Sequence, residues 1–246
     1  MGGDVAASLA AAQAVGVRRL VTIGVDVPSS QWGADVAAQY DDVFAAVAIH
    51  PNEAYAADDA ALREIARLAR LPQVVAIGET GLDFYRDTAT EAAQQASFRA
   101  HIQIAKDSGK ALVIHDREAH DAVLQALEDE GAPDRVIFHC FSGDTAMARA
   151  CADRGYAMSF AGNMTFKNAE PLREALRVAP LDLLLVETDA PFLTPMPHRG
   201  QPNASYLMPL TVRAMALVKG VTEDEMSAAV ARNAASMFAL PSATTP

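Results

Sequence analysis

ALVIHDREAHDAVLQALEDEGAPDRVIFH, residues 111–139, runs from one short aliphatic segment to another through a helical stripe. Residues 111–114 and 135–138 are nearly continuous apolar runs, and Val123, Leu124 and Leu127 between them recur at helical spacing on one face. Each apolar run ends in a histidine, His115 and His139. An uninterrupted apolar run is what a strand needs when both of its faces are covered, as in a parallel sheet with helices packed outside it. The stretch therefore predicts a strand, a helix and a second parallel strand, each strand handing a histidine to the same end of the sheet.

The same pattern extends in both directions. Further strands are predicted at 19–23, 43–49, 74–77, 156–160 and 183–186, making seven, with stripes such as Leu62, Ile65, Ala66 and Ala69 between them. No low-complexity linker interrupts the alternation, so residues 1–246 read as a single domain. Repeated βα units over about 250 residues point to the α/β class and to a TIM-type (β/α)8 barrel. The chain opens on a helix, with Asp4 as cap to residues 5–15, so the barrel reads as lacking its first strand.

A chain of 246 residues with 51% hydrophobic and 21% charged residues is folded globular material rather than a disordered tail. No apolar run approaches the roughly 20 residues of a membrane span, and the first residues lack the basic start of a signal peptide, so a soluble, cytoplasmic protein without a membrane partner is expected. Cys140 and Cys151 are the only cysteines, too few for a disulfide framework or a thiolate metal cage. The formal net charge of −11 argues against wrapping a duplex by broad electrostatics, yet leaves room for nucleic acid held locally at a metal.

Strand ends carry the chemistry of a barrel of this kind. His50 ends the run 43–49. Glu79 opens Gly78-Glu79-Thr80-Gly81-Leu82-Asp83, and Asp189 closes Glu187-Thr188-Asp189 after 183–186. With His115 and His139 these make a set of imidazoles and carboxylates suited to Zn²⁺, Mn²⁺ or another divalent ion, which with an open position activates water. Each has a plainer reading: a lone strand-end histidine is often structural, Glu79 can cap the next helix, and Asp189 can serve the turn before Pro191. Convergence at one mouth favours the functional reading, because several unpaired acids and imidazoles are hard to accommodate there without a cation or substrate. His101 and His120 lie in helical stretches and read as surface or packing residues; His198 is a loop residue. Arg117, Arg199 and Lys167 offer positive charge for phosphate oxygens, and Phe84, Tyr85 and Phe141 offer rings that can stack on a base or simply pack the rim. Cys140, next to His139, is expected to face the other side of its strand. The proline-rich segment 192–207 reads as a lid over the mouth.

Six segments together resemble the TatD family of metal-dependent deoxyribonucleases, a branch of the amidohydrolase-like barrels: Ala48-Ile49-His50-Pro51-Asn52, Gly78-Glu79-Thr80-Gly81-Leu82-Asp83, Val113-Ile114-His115-Asp116-Arg117, His139-Cys140-Phe141-Ser142-Gly143, Val186-Glu187-Thr188-Asp189-Ala190-Pro191, and Arg199-Gly200 with Asn203. The resemblance covers nearly the whole chain. It implies that Glu79, His115, His139 and Asp189 bind one or two divalent ions, Mg²⁺, Mn²⁺ or Zn²⁺, and that Asp189 also orients or deprotonates the attacking water, with Glu79 as its catalytic companion. It further implies that His50, Arg117 and Arg199 face the scissile phosphate. Members similar to this chain begin with a strand ending in a His-x-His pair, whereas no histidine precedes His50 here. A start placed too late is the favoured explanation over a natural variant with a reduced site. The expected activity is hydrolysis of DNA phosphodiester bonds from single-stranded ends, by a protein for which a monomer suffices. The alternatives are a metal-dependent amidohydrolase or esterase acting on a small molecule, and a truncated inactive form.

Overall fold

A computed structural model of the chain describes residues 4–241. α1 (Val5–Gln13) comes first, capped by Asp4, whose carboxylate accepts the Ala7 N–H at 3.1 Å. Then follow β1 (Leu20–Ile23), α2 (Val27–Ala37), β2 (Val43–Val47), α3 (Asp59–Leu68), β3 (Val74–Asp83), α4 (Glu91–Ser108), β4 (Ala111–Arg117), α5 (His120–Glu130) and β5 (Val136–Phe138). The chain continues through α6 (Thr145–Asp153), β6 (Ala157–Phe160), α7 (Glu170–Val178), β7 (Leu184–Val186), α8 (Met208–Lys219) and α9 (Glu223–Met237). All seven predicted strands form.

Contacts divide the described residues into two compact units, one of residues 19–139 with 235–241 and one of residues 4–18 with 140–234. In the first, β1 to β5 pair in sequence order, every pair parallel. β2 and β5 are buried along their whole length, and so are the first four residues of β4, which is why their sequences are unbroken apolar runs. The helices start where side chains can satisfy free backbone N–H groups: Asp26 and Ser29 form a reciprocal cap on α2, Asp58 caps α3 and Thr90 caps α4. In the second unit β6 pairs parallel with β7, and Asp144 caps α6.

β3 is the strand that departs from the sequence reading. It runs six residues past Ile77, through the whole of Gly78-Glu79-Thr80-Gly81-Leu82-Asp83. Ile77 pairs with Leu112 and Thr80 with Ile114, so Gly78 and Glu79 together stand opposite Val113 alone. This is a β-bulge, and the peptide within it is cis. Both glycines are required by close approach. A Cβ on Gly78 (φ +157°) would lie 2.5 Å from the Val113 Cβ, and one on Gly81 (φ +142°) would lie 2.1 Å from the His115 carbonyl oxygen. Glycines that read as turn punctuation are here the means by which two strands come together.

Two smaller expectations also change. The strand before His139 ends at Phe138, and Cys140 adopts a positive φ of 41°, so strand alternation does not set the direction of its side chain. Phe141 is 2% exposed and its ring packs 5.7 Å from that of Phe160, which leaves it no free face for a base.

Candidate metal centre

The first unit gathers four of the expected residues. His50 lies three residues past β2, Glu79 occupies the bulge of β3, His115 lies in β4 and His139 follows β5 directly. They meet at one oxygen: Glu79 Oε1 is 2.7 Å from His115 Nδ1, 3.2 Å from His139 Nε2 and 3.3 Å from His50 Nε2. Burial by itself pushes the Glu79 carboxyl up. The charge of His139 and the hydrogen bonds from His115, His139 and His50 outweigh it and hold the carboxyl well below the ordinary carboxylate range. Glu79 is therefore an anion at neutral pH, the form that ligates a cation, and the helix-cap reading of it falls away.

His115 is oriented from behind. Its Nε2 lies 3.1 Å from Oδ2 of Asp83, which has no exposed surface. The other oxygen of Asp83 accepts the N–H groups of Tyr85 at 3.0 Å and Arg86 at 2.9 Å. Buried Gln94 of α4 holds the Asp83 backbone from both sides, accepting its N–H at 2.7 Å and donating to its carbonyl at 3.0 Å. Burial raises the Asp83 carboxyl, but the Arg86 amide, the charge and hydrogen bond of His115 and the Tyr85 amide bring it below its usual value. An ionised carboxylate only accepts, so Nε2 of His115 carries a proton and Nδ1 is the nitrogen turned towards Glu79. A carboxylate fixing the far nitrogen of a histidine in this way is the support that metal-ligating imidazoles use.

His50 is held in the opposite sense. Its Nδ1 accepts the Asn52 N–H at 3.1 Å, so the neutral ring carries its proton on Nε2 and points it at Glu79 Oε1, 3.3 Å away, with His115 Nδ1 at the same distance beside it. Atoms of His50, Glu79 and His115 all lie within 4.8 Å of one another and could hold an ion together. This donor set fits a divalent cation. The separation of 3.2 Å between His139 Nε2 and Oε1 is that of neighbouring ligands on an ion at about 2.1 Å. The 2.7 Å contact of His115 with Glu79 is a hydrogen bond whose proton a cation would displace.

Arg117, two residues past His115 on β4, lays its guanidinium 4.0 Å from the centre of the Tyr85 ring. The remaining expected residues belong to the second unit. Asp189 lies three residues beyond β7 with φ +56°, a conformation that costs energy in any residue other than glycine. Asn203, 6% exposed, clamps the turn around it: its Nδ2 donates to the carbonyls of Thr188 at 2.7 Å and Phe192 at 2.8 Å, and its own N–H reaches Pro191 O at 3.0 Å. The Arg199 guanidinium sits 4.1 Å from the centre of the Phe166 ring. Lys167 is exposed.

Residues 1–239 match a family model described as TatD related DNase. The chain belongs to the TatD family. It is 46% identical over 234 residues to a metal-dependent hydrolase named TatD from Mycobacterium tuberculosis, a match that takes in 93% of this chain and 89% of that one. It is 32% identical over 239 residues to a protein of Klebsiella pneumoniae named 3'-5' ssDNA/RNA exonuclease TatD, covering 94% and 90% of the two chains. Among solved structures, that of the TatD homologue YjjV from Escherichia coli superposes with a TM-score of 0.91 at 27% identity, over 96% of this chain and 92% of that one. The fold is accordingly the TIM-type barrel fold of TatD proteins, and the chain is a metal-dependent hydrolase of the TatD type.

Within this TatD protein, some residues that matter to the centre carried no role in the sequence reading. Asp83 was quoted only as the last letter of a motif, yet Glu79, Gly81 and Asp83 alternate on a strand, and that period alone puts both carboxylates on one side. His101 is another. Read as surface or packing, it is fully buried in α4 and its Nε2 accepts the N–H of Ile49, the residue before His50, at 3.1 Å. His120, by contrast, is partly exposed and pairs with Asp116 at 2.6 Å.

Proposed function

We propose that this TatD protein is a divalent-metal-dependent deoxyribonuclease that hydrolyses DNA phosphodiester bonds, working exonucleolytically from single-stranded ends. The observation that carries the reading is the meeting of three imidazoles on Glu79 Oε1, with Asp83 fixing one of them from behind. Support for the substrate comes from the Klebsiella pneumoniae relative named as a single-stranded DNA and RNA exonuclease.

In this reading Glu79, His115 and His139 hold the ion, joined by Asp189. When bound, the ion neutralises phosphate charge and lowers the pKa of water. Asp189 orients the attacking water and takes its proton. His50, with its proton on Nε2, donates to a phosphate oxygen, and Arg117 and Arg199 offset the charge that grows on the phosphate in the transition state. Imidazole-rich ligation suits Mn²⁺ or Zn²⁺ better than Mg²⁺, which prefers oxygen. With an acidic chain, affinity for DNA rests on the ion and these few cations rather than on a broad basic surface.

The test is nucleotide release from end-labelled single-stranded DNA with Mg²⁺, Mn²⁺, Zn²⁺ or EDTA, beside panels of amide and ester substrates. Metal-dependent release, abolished in His115→Ala and Asp189→Asn, is the expected result. Turnover of an ester or amide without nucleotide release, or release unchanged in both variants, overturns the proposal.

A further inference from the structure

The second unit carries a groove of about 470 Å³ that begins two residues after Asp189, and of its lining the reading above uses Arg199 alone. Its walls include Phe166, Pro191, Phe192, Arg199 and Gln201. No carboxylate lines it, although the chain has 31 acidic residues against 20 basic ones. Its single cation, Arg199, rests on the Phe166 ring and, among the described residues, meets no carboxylate at ion-pair distance. An uncompensated guanidinium beside exposed aromatic surface is complementary to an anion that carries a flat π-face.

Phe192 supplies that surface. It is 67% exposed, a large apolar ring left in water. The backbone beneath it is nevertheless held closely. The Phe192 N–H reaches Asp189 O at 2.8 Å, and the Phe192 carbonyl accepts from Asn203. The rest of the loop is tied down as well: Met196 N–H meets Thr165 Oγ1 at 2.9 Å, and Gly162 passes so near Leu193 O that a Cβ there would lie 2.1 Å from it. The segment expected as a lid is thus tied to its surroundings at several points, and the ring stands on a hydrogen-bonded backbone. An aromatic side chain has only two torsions to order, so on such a backbone it accepts a stacked ligand at little cost.

We infer that this groove is a nucleobase platform, in which a base of the strand stacks on Phe192 while Arg199, backed by Phe166, meets a phosphate of the same strand. Every base has a π-face, so the platform binds single strands without regard to sequence. The inference rests on the deoxyribonuclease reading and names how that substrate is held.

The experiment is fluorescence anisotropy in Mn²⁺ with a fluorescein-labelled ten-residue oligothymidylate of hydrolysis-resistant phosphorothioate backbone, and with the same backbone carrying abasic tetrahydrofuran residues throughout. The wild-type chain is expected to bind the oligothymidylate at least about fivefold more tightly, the lower end of what one base-aromatic stack contributes. Phe192→Ala should remove that preference, Phe192→Trp should keep it, and Leu217→Ala, which removes an 83% exposed side chain of α8, should leave it unchanged. Equal binding of both strands by the wild type, or a preference that survives in Phe192→Ala, overturns the platform; if metal-dependent hydrolysis persists, the nuclease reading stands without it. Base-dependent binding that Phe192→Ala abolishes, in a chain that releases no nucleotide with any metal, upholds the platform and overturns the nuclease reading alone.

Discussion

His101 should make the protein lose stability in mild acid, and the size of the loss follows from its surroundings. The ring is fully buried among the apolar side chains of α4, with Phe98, Ile102 and Ala105 beside it, and has two partners, Ser97 O at 2.7 Å from Nδ1 and the Ile49 N–H at 3.1 Å from Nε2. Nδ1 therefore donates and Nε2 accepts, and no lone pair is left for a second proton. Burial lowers its pKa to about 4, only partly countered by the Ser97 carbonyl. In the unfolded chain the ring titrates near 6.5. Because the unfolded state binds the proton first, stability is complete above pH 6.5, declines as the pH falls below it, and has lost its full share below pH 4. A difference of about 2.5 units amounts to about 3 kcal/mol in full, of which about 2 kcal/mol is gone by pH 5. His101→Gln removes the titration and keeps an amide that can donate and accept. Urea unfolding of both proteins at pH 7 and pH 5 should show the wild type losing about 2 kcal/mol more than the variant over that interval. Equal losses would refute the assignment of a neutral buried ring, whatever the absolute stabilities.

Three other substitutions probe separate parts of the argument. Asp83→Asn replaces an acceptor with a group that can present N–H to His115 Nε2, and should weaken Mn²⁺ binding by about 10- to 100-fold in calorimetric titration; unchanged affinity would show that His115 needs no support. Gly81→Ala forces a methyl group onto the His115 carbonyl at φ +142° and should cost about 3 kcal/mol or more in denaturant unfolding, or leave the chain insoluble. Asn203→Ala orphans the Thr188 and Phe192 carbonyls and should lower stability by about 2 kcal/mol, while cutting kcat for metal-dependent hydrolysis more than it raises KM, since the turn it clamps carries Asp189.

The parts legible in the sequence were those set by burial. β2, β4 and β5 are apolar because both of their faces are covered, and the histidines after or within them follow from where such runs stop. Glu79 and His115 were readable for the same reason. The second half of β3 was not, because Gly78 and Gly81 serve a close approach to β4 that local pattern cannot distinguish from a turn. Nor was the part played by His101. Its partner Ile49 is 52 residues away, and only the packing of α4 brings the two together. Phe141 and Phe192 make the complementary case: the composition of a loop does not say which ring is swallowed by the core and which is left outside.

The bulge at Gly78 and Glu79 gives the length of this segment a meaning separate from its chemistry. Beyond it Thr80, Gly81, Leu82 and Asp83 pair with Ile114, His115, Asp116 and Arg117, an alignment that exists only because two residues of β3 are set against one of β4. A residue lost beyond the bulge, between Thr80 and Leu82, would slip this pairing by one, and every later side chain would change sides. Leu82 would then turn towards His115 and Asp83 away from it, with no amino acid in the neighbourhood altered. What a substitution scan of this strand would assign to individual residues is therefore partly a matter of counting: the centre tolerates neither a shorter nor a longer path from Ile77 to Asp83, and an alignment gap placed there would mark a rebuilt site rather than a neutral change in a loop.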